Sequence, residues 1–167
     1  MLVLGLDPGT ATTGYGFVRA TADGRFTAID YGVILTPAKT PLAERLQMLY
    51  ERLQALLRRY PPDGAAVEKL FFQKNVTTAM SVGQARGVLL LALAQAGLSV
   101  AEYTPNEIKE SVTGYGSAGK MQVQRMVQML LGLEAPPRPD DAADALAVAL
   151  CHAQHLRWQS HLTQRQR

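Results

Sequence analysis

Cysteine is nearly absent from the chain, since Cys151 is the single one among 167 residues. A lone cysteine cannot close a disulfide within the chain, so stability has to come from a packed core. A chain of this length can bury such a core within one domain. Chains without disulfides are typical of reducing compartments. We therefore expect a cytoplasmic protein.

Long hydrophobic runs are also missing. The most apolar helical stretch, around residues 88–96, is too short to cross a bilayer and is closely preceded by Arg86. The first residues reach an acid at Asp7 without any basic residue, so we expect no secretion signal. These features argue against a membrane protein or an exported one.

Neither sign of charge dominates the composition. Lys and Arg number 17 against 14 Asp and Glu, which gives a net charge of +3. This balance permits a polyanionic partner without requiring one. The final segment differs, because residues 156–167 contain Arg157, His161, Arg165 and Arg167 and no acid. We expect one domain over residues 1–158 and a flexible basic tail over 159–167, which is either simply solvated or adds a phosphate contact.

The hydrophobic pattern predicts an α/β fold. Apolar stretches bounded by turn residues predict strands, and apolar residues at spacings of three and four predict helices. The first three predicted strands are joined by short turns, whereas later strands follow helical crossovers and should lie parallel to the first. We expect a mixed five-stranded sheet with helices on both faces. The predicted strands are 2–7, 14–21, 26–36, 65–70 and 98–103, and the predicted helices are 41–60, 75–96, one starting at 105, 120–131 and 140–158.

Acidic residues follow two of the predicted strands and begin the last predicted helix. Asp7 ends the first strand and Glu68 lies near the end of the fourth. A carboxylate at the end of a buried strand is costly unless a cation meets it. Asp141 and Asp144 share a helix face at i, i+3, but so do Asp140 and Asp144 at i, i+4. Spacing leaves open whether Asp140 or Asp141 faces the site, and either one also suits the helix start as a cap or a first-turn acid.

Several carboxylates brought together favour a hard divalent cation. Mg²⁺ and Mn²⁺ take carboxylate and water oxygens, and a pair of them stabilises both oxygens of a phosphoryl displacement. We therefore expect a metal-dependent nuclease. Segment 5–10 also resembles the phosphate loop of actin-like sugar kinases, but those enzymes need a second lobe for which 167 residues leave no room. A nucleic-acid-binding protein with a decayed site is a further alternative, against which the complete set of acids argues.

Five motifs occur in a fixed order along the chain. They are Gly5–Thr10 with Thr13–Gly16, Glu68–Phe71 with Lys74 and Asn75, Gly83–Val88, Lys109 with Gly114–Gln124, and Asp141–Ala147. In this order they closely resemble the RuvC family of Holliday-junction resolvases, within the ribonuclease-H-like superfamily. The resemblance covers about residues 2–155. It implies that Asp141 faces the site, so that Asp140→Asn should be nearly silent.

The resemblance implies a ribonuclease-H-like endonuclease that resolves four-way DNA junctions by paired symmetric nicks in recombination and repair. It implies two Mg²⁺ or Mn²⁺ ions per active site. Asp7 would bridge both ions, Glu68 and Asp141 would complete one coordination shell, and Asp144 would complete or orient the other. It also implies a homodimer and cooperation with the RuvA–RuvB branch-migration complex.

The resemblance extends to residues that would contact DNA. Lys109 and Lys120 are expected near the scissile phosphate, where positive charge stabilises the transition state. Phe71 is expected either to wedge against an unstacked base or to pack in the core. Lys74 and Arg86 are expected to hold backbone phosphates, with simple solvation of its helix flank as the alternative for Arg86.

A stripe of small residues runs along the second predicted helix. Ala79, Gly83 and Gly87 fall at i, i+4 and i+8. Glycine in a helix interior costs about 1 kcal/mol, so a close approach of another backbone is the expected reason. That backbone belongs either to the sheet of the same chain or to a second subunit, and the resemblance implies the second subunit in a two-fold dimer.

Overall fold

The computed structural model of the chain describes residues 1–69 and 76–165, with side chains described for residues 1–69 and 79–160. Strands and helices alternate after an initial run of three strands. In chain order the described elements are β1 (Leu2–Asp7), β2 (Thr12–Ala20), β3 (Phe26–Leu35), α1 (Leu42–Arg59), β4 (Gly64–Glu68), α2 (Val76–Gln95), β5 (Val100–Tyr103), α3 (Pro105–Thr113), α4 (Lys120–Leu131) and α5 (Asp140–Arg165).

The strands form one mixed five-stranded sheet in the order β3-β2-β1-β4-β5. β1, β2 and β3 pair antiparallel, whereas β4 runs parallel to β1 and β5 runs parallel to β4. The predicted mixed sheet is therefore confirmed. Because Leu6 on β1 pairs with Val67 on β4, the next residues, Asp7 and Glu68, lie side by side where the two strands end.

Helices cover both faces of the sheet, as predicted. Alternation along β1 sends Val3 into the core beneath α3, α4 and α5, and Leu4 into the core beneath α1 and α2. Leu146 of α5 is fully buried in the first core, and Leu89 of α2 in the second. The two faces thus bury separate sets of side chains. The helix α5, which carries Asp141 and Asp144, lies on the first of these faces.

Glycines in the central strands allow α5 to lie directly on the sheet. A Cβ atom at Gly14 would stand 1.9 Å from the carbonyl oxygen of Asp141, and one at Gly5 would stand 2.2 Å from that of Ala145. The facing side of α5 consists of small buried residues, namely Ala142, Ala145 and Ala149. Small residues on both surfaces bring the helix backbone against the sheet, and this contact fixes the start of α5 beside the end of β1.

Most element boundaries agree with the sequence pattern, and α4 has the predicted bounds. The predicted capping box starts α3: the Thr104 hydroxyl accepts from the Glu107 amide at 3.2 Å, and the Thr104 amide donates to the Glu107 carboxylate at 2.7 Å. The predicted end of α5 near Trp158 is wrong, because the helix continues to Arg165. Residues 159–165 contain no Gly or Pro that would end it. The domain division at residue 158 and a phosphate contact by the tail stay predictions.

The helix α2 has apolar side chains on its exposed side as well as on its buried side. Leu89 and Leu93 are fully buried against the sheet, whereas Met80 and Leu91 are 65% and 54% exposed. No helix among the described residues is long and apolar enough to cross a membrane. The exposed side of α2 is therefore an apolar surface among the described residues.

Candidate active site

Asp7 and Glu68 end the adjacent parallel strands β1 and β4. Their carboxyl groups share a hydrogen bond, in which protonated Asp7 donates to Glu68. Burial, followed by the nearby charges of Glu68 and Asp144, raises the pKa of Asp7 to about 8. Burial also raises the pKa of Glu68, and Asp144 adds to this effect, whereas the hydrogen bond with Asp7 and the charge of Lys109 oppose it. The pair therefore retains a proton over a pH range in which isolated carboxyl groups are ionised.

Asp141 and Asp144 enter the same region from the first turns of α5. Burial raises the pKa of Asp144 although Lys120 opposes it, and the charges of Asp140 and Asp141 add to the rise. Asp141 and Asp144 also contribute to the raised pKa of Asp7. The structure thus brings together the acids that the sequence pattern selected. Their negative charges repel one another in a partly desolvated place.

A cavity of about 250 Å³ opens beside the acids. Lys109 lies close enough to Glu68 to oppose the rise in its pKa. The Lys120 Nζ lies 3.4 Å from the Asp144 Oδ2. Both predicted lysines therefore face the same cavity as Glu68 and Asp144. The lining residues are Glu68, Lys109, Lys120 and Asp144 together with the less polar Pro105, Ile108, Val123 and Ala147.

Asp140 shares the Lys120 ammonium with Asp144. The Lys120 Nζ lies 3.2 Å from the Asp140 Oδ2, and Gln124 Nε2 and Arg138 donate to the Asp140 Oδ1 at 3.0 and 3.1 Å. Burial lowers the pKa of Lys120, because it disfavours the charged ammonium. Hydrogen bonding to Asp140 and the charges of Asp140 and Asp144 outweigh this effect, so the pKa of Lys120 is raised. Sequence reasoning missed this contact because spacing within α5 carries no information about α4. The i, i+4 spacing of Lys120 and Gln124 was a signal that these two side chains share a face.

The donor set fits a hard divalent cation by its chemistry. Carboxylate oxygens are the preferred ligands of Mg²⁺ and Mn²⁺, and a cation would relieve the repulsion that raises the pKa values of these acids. Among the described side chains, no three Asp, Glu, His or Cys residues already surround a common point as metal ligands. Lys120 balances Asp144 instead, and a proton balances the pair Asp7 and Glu68. A bound cation would take the place of the Lys120 ammonium at Asp144 and of the proton at Asp7 and Glu68.

The remaining predicted contact residues are only partly described. Phe71 and Lys74 lie outside the described residues, so their predicted roles are untested. The Arg86 guanidinium forms an ion pair with Glu102 on β5, and its side chain is 20% exposed. The alternative of a merely solvated Arg86 is wrong, because this pair fastens α2 to β5. A phosphate at Arg86 would have to compete with Glu102.

The sheet and the acids together define a class of protein. The sheet is mixed, and its first three strands are antiparallel. Carboxylates lie at the ends of the adjacent parallel strands β1 and β4 and at the start of the helix above them. This is the ribonuclease-H-like arrangement.

Comparisons with known proteins identify the family within that class. The model of the family "Crossover junction endodeoxyribonuclease RuvC" matches residues 3–152. The protein of that name from Syntrophomonas wolfei is 57% identical over 162 residues, which cover 97% of this chain and 94% of the relative. The structure of Thermus thermophilus RuvC superposes with a TM-score of 0.89 at 37% identity, covering 95% of this chain and 97% of that one. A structure of T. thermophilus RuvC in complex with a Holliday junction substrate gives a TM-score of 0.87 at 35% identity, with coverages of 95% and 96%. The chain belongs to the RuvC family, as its motifs predicted.

Proposed function

We propose that the chain is a crossover junction endodeoxyribonuclease that resolves four-way DNA junctions by paired symmetric nicks. The observation that carries this proposal is the convergence of Asp7, Glu68, Asp141 and Asp144, whose charges act on one another where β1 and β4 end and α5 begins. Membership of the RuvC family supports it, since a T. thermophilus member has been solved with a Holliday junction substrate. The activity would serve recombination and DNA repair in the cytoplasm.

We propose that the acids hold two divalent ions, either Mg²⁺ or Mn²⁺. Asp7, Glu68, Asp141 and Asp144 would hold them through their carboxylate oxygens. Bound metal supplies an activated water and stabilises the charge on the departing oxygen. The raised pKa values of Asp7, Glu68 and Asp144 support this assignment, because a site that disfavours negative charge in the protein alone gains most from a cation.

The lysines of the cavity would act on the phosphate. Lys109 and Lys120 place positive charge on the cavity wall, where the phosphate gains negative charge during the reaction. Ile108 and Val123 are buried apolar residues of the same wall, so they limit the access of water to it. Stacking of Phe71 on a base, and binding of phosphates by Lys74 and Arg86, remain further proposals for the path of the DNA.

A cleavage assay on three substrates tests the proposed function. Labelled four-way junction, plain duplex and single strand of the same sequence are each incubated with Mg²⁺, with Mn²⁺ and with a chelator. We expect cuts at symmetric positions in two opposing strands of the junction, with metal present and not with chelator. The duplex and the single strand should stay intact. Equal cutting of the duplex, or cutting in the chelator, would contradict the proposal.

We propose a homodimer formed through the exposed side of α2. A Cβ atom at Gly83 or Gly87 would meet no described atom within 4 Å, so these positions do not pack against the described part of their own sheet. Met80 and Leu91 add exposed apolar surface to the same helix. A two-fold dimer presents two equivalent active sites, which suits the two equivalent strands of a junction.

Gly87→Ala should weaken this dimer. In a helix that faces only water, the same change would stabilise the protein by about 1 kcal/mol, because alanine favours helix more than glycine does. Against a closely approaching partner, the added methyl group would collide instead. Light scattering should give a wild-type mass near twice 18.2 kDa and a lower average mass for the variant at the same concentration.

Gly116→Ala is the matched control for this measurement. A Cβ atom there would stand 3.5 Å from its nearest neighbour, which is ordinary contact, and Gly116 lies in the loop before α4. The control should keep the wild-type mass. A Gly87→Ala protein with an unchanged mass and a higher melting temperature would show that this side of α2 is free.

We also propose that the RuvA–RuvB branch-migration complex is a partner, on family membership alone. Purified complex, added to the junction assay at limiting enzyme, should raise the rate of cleavage. A cleavage rate that does not change over a range of concentrations of the complex would contradict this partnership.

A further inference from the structure

We infer that Asp140 is a positioning residue that holds the Lys120 ammonium at the mouth of the catalytic cavity. The catalytic role of Lys120 rests on the proposed function, whereas the contact between the two side chains is a property of the protein alone. Asp140 would act through Lys120 and would touch neither the substrate nor a metal.

The ammonium lies between two carboxylates that differ in their location. Its distances to the Oδ2 atoms of Asp140 and Asp144 are 3.2 and 3.4 Å. Asp144 lines the cavity together with Lys120, whereas Asp140 is not among the lining residues. Lys120 therefore bridges Asp144, which lines the cavity, and Asp140, which lies one helical turn earlier on α5.

The Asp140 carboxylate is itself held in one orientation. Its Oδ1 accepts hydrogen bonds from Gln124 Nε2 at 3.0 Å and from Arg138 at 3.1 Å, which leaves Oδ2 to face Lys120. Gln124 is only 8% exposed and lies one turn beyond Lys120 on α4. An isolated surface ion pair fixes little, but here the buried Gln124 amide holds the Asp140 carboxylate in addition to the exposed Arg138 guanidinium.

Lys120 needs such a partner because little else restrains it. It is the first residue of α4, it follows Gly119 without a side-chain cap, and its side chain is 55% exposed. A free lysine side chain has many rotamers, and their loss on ordering opposes catalysis. If Asp144 exchanges the ammonium for a divalent cation, Asp140 is the acid that remains to hold Lys120 near the cavity.

This inference replaces the expectation that Asp140→Asn is nearly silent. That expectation considered Asp140 only within α5, as a rival of Asp141 or as a cap of the helix. The contact with Lys120 crosses from α5 to α4, and it gives Asp140 a separate role.

The first test measures Lys120 in the metal-free protein without DNA. A limiting amount of an amine-acylating reagent is added, and mass spectrometry follows the labelling rate of Lys120 relative to that of the exposed Lys39 in the same molecule. In Asp140→Asn the relative rate should rise about threefold, as expected when an ion pair of moderate strength is lost. Asp23→Asn is the matched control, since it removes an exposed acid paired with Arg25 in the turn after β2.

The second test asks whether Asp140 acts through Lys120. With enzyme in excess over junction, Asp140→Asn should slow cleavage about tenfold, while the Kd for the junction stays within about twofold, because a displaced catalytic group costs rate more than affinity. In a Lys120→Ala background the same change should cost nothing further. Asp140→Glu keeps the negative charge and should recover part of the rate.

Each outcome decides the inference. The inference would be wrong if Asp140→Asn left the labelling rate of Lys120 unchanged. It would also be wrong if Asp140→Asn slowed cleavage as much in the Lys120→Ala background as in the wild type. If Asp140→Asn melts too low to be assayed, Arg138→Met loosens the Asp140 carboxylate from one side and should also raise the labelling rate. A wild-type protein that does not cleave junctions would contradict the proposed function, while the labelling test would still decide whether Asp140 holds Lys120.

Discussion

Asp7→Asn should reduce junction cleavage by about two orders of magnitude or more, while junction binding persists. Asp7 receives the charge effects of Glu68, Asp144 and Asp141, so it lies at the electrostatic centre of the site. Affinity for DNA comes mainly from cations that meet phosphates, and this change removes none of them. Cleavage is measured with enzyme in excess, and binding is measured in the absence of metal.

The same variant should be more stable than the wild type when metal is absent and the pH is high. Folded Asp7 keeps its proton up to about pH 8, whereas the unfolded residue loses it near 3.8. Between these values the unfolded state binds fewer protons, so the wild type loses stability as the pH rises. Asparagine does not titrate. The gain in melting temperature should therefore be small near pH 4 and should grow toward pH 8.

Asp23→Asn provides the comparison for both measurements, since Asp23 is an exposed acid outside the site. It should cut junctions at the wild-type rate and should show no gain in stability as the pH rises. Wild-type cleavage by Asp7→Asn would remove Asp7 from the active site. A variant no more stable than wild type at pH 8 would mean that burial and the neighbouring acids do not raise the pKa of Asp7 in the folded protein.

The sequence pattern was sufficient to place Asp7 and Glu68. An acid that ends a buried strand has to lie at the edge of the sheet where that strand ends. The crossover helices require β4 to run parallel to β1, so the two acids meet at the same edge. The boundaries of α4 and the capping box of α3 also follow from local residues, because caps and glycines act within a turn of their own position. These features depend on interactions between residues that are close together in the chain, so they can be recognised in a single sequence.

Contacts between distant elements could not be predicted in the same way. The Arg86 ion pair joins α2 to β5, and the Asp140 contact joins α5 to α4. Neither relationship has a spacing that could be counted along the chain. The residues were therefore known as charged positions, but their partners depended on how the helices pack on the sheet.

The packing of α5 on the sheet depends on small residues that lie in three different elements of the chain. Gly5 lies in β1, Gly14 and Gly16 alternate with larger residues in β2, and alanines recur along α5. Their match in space lets the helix backbone approach the sheet closely, at Gly14 beneath Asp141 and at Gly5 beneath Ala145. The positions of Asp141 and Asp144 thus depend on residues that carry no charge and take no part in the chemistry.

Gly14→Ala should therefore damage the active site although it changes no acid. A Cβ atom there would lie 1.9 Å from the Asp141 carbonyl oxygen, so the first turn of α5 has to move. Overpacking of this kind costs about 1–3 kcal/mol and should lower the melting temperature by several degrees. Because Gly14 pairs with Asp7 across β1 and β2, the displacement separates Asp141 and Asp144 from Asp7. Cleavage should fall about tenfold or more at a temperature where the protein is fully folded, with junction binding retained.

Gly32→Ala separates this effect from the general cost of a methyl group in the sheet. A Cβ atom at Gly32 on β3 would meet the Tyr15 side chain at 3.0 Å, and the tip of a side chain can move where a helix backbone cannot. The control should lose less stability and keep the wild-type cleavage rate. If Gly14→Ala cut as fast as Gly32→Ala, the close approach of α5 would be irrelevant to catalysis. If Gly14→Ala lost cleavage and Gly32→Ala did not, the close approach of α5 at Gly14 would be required to place Asp141 and Asp144 relative to Asp7.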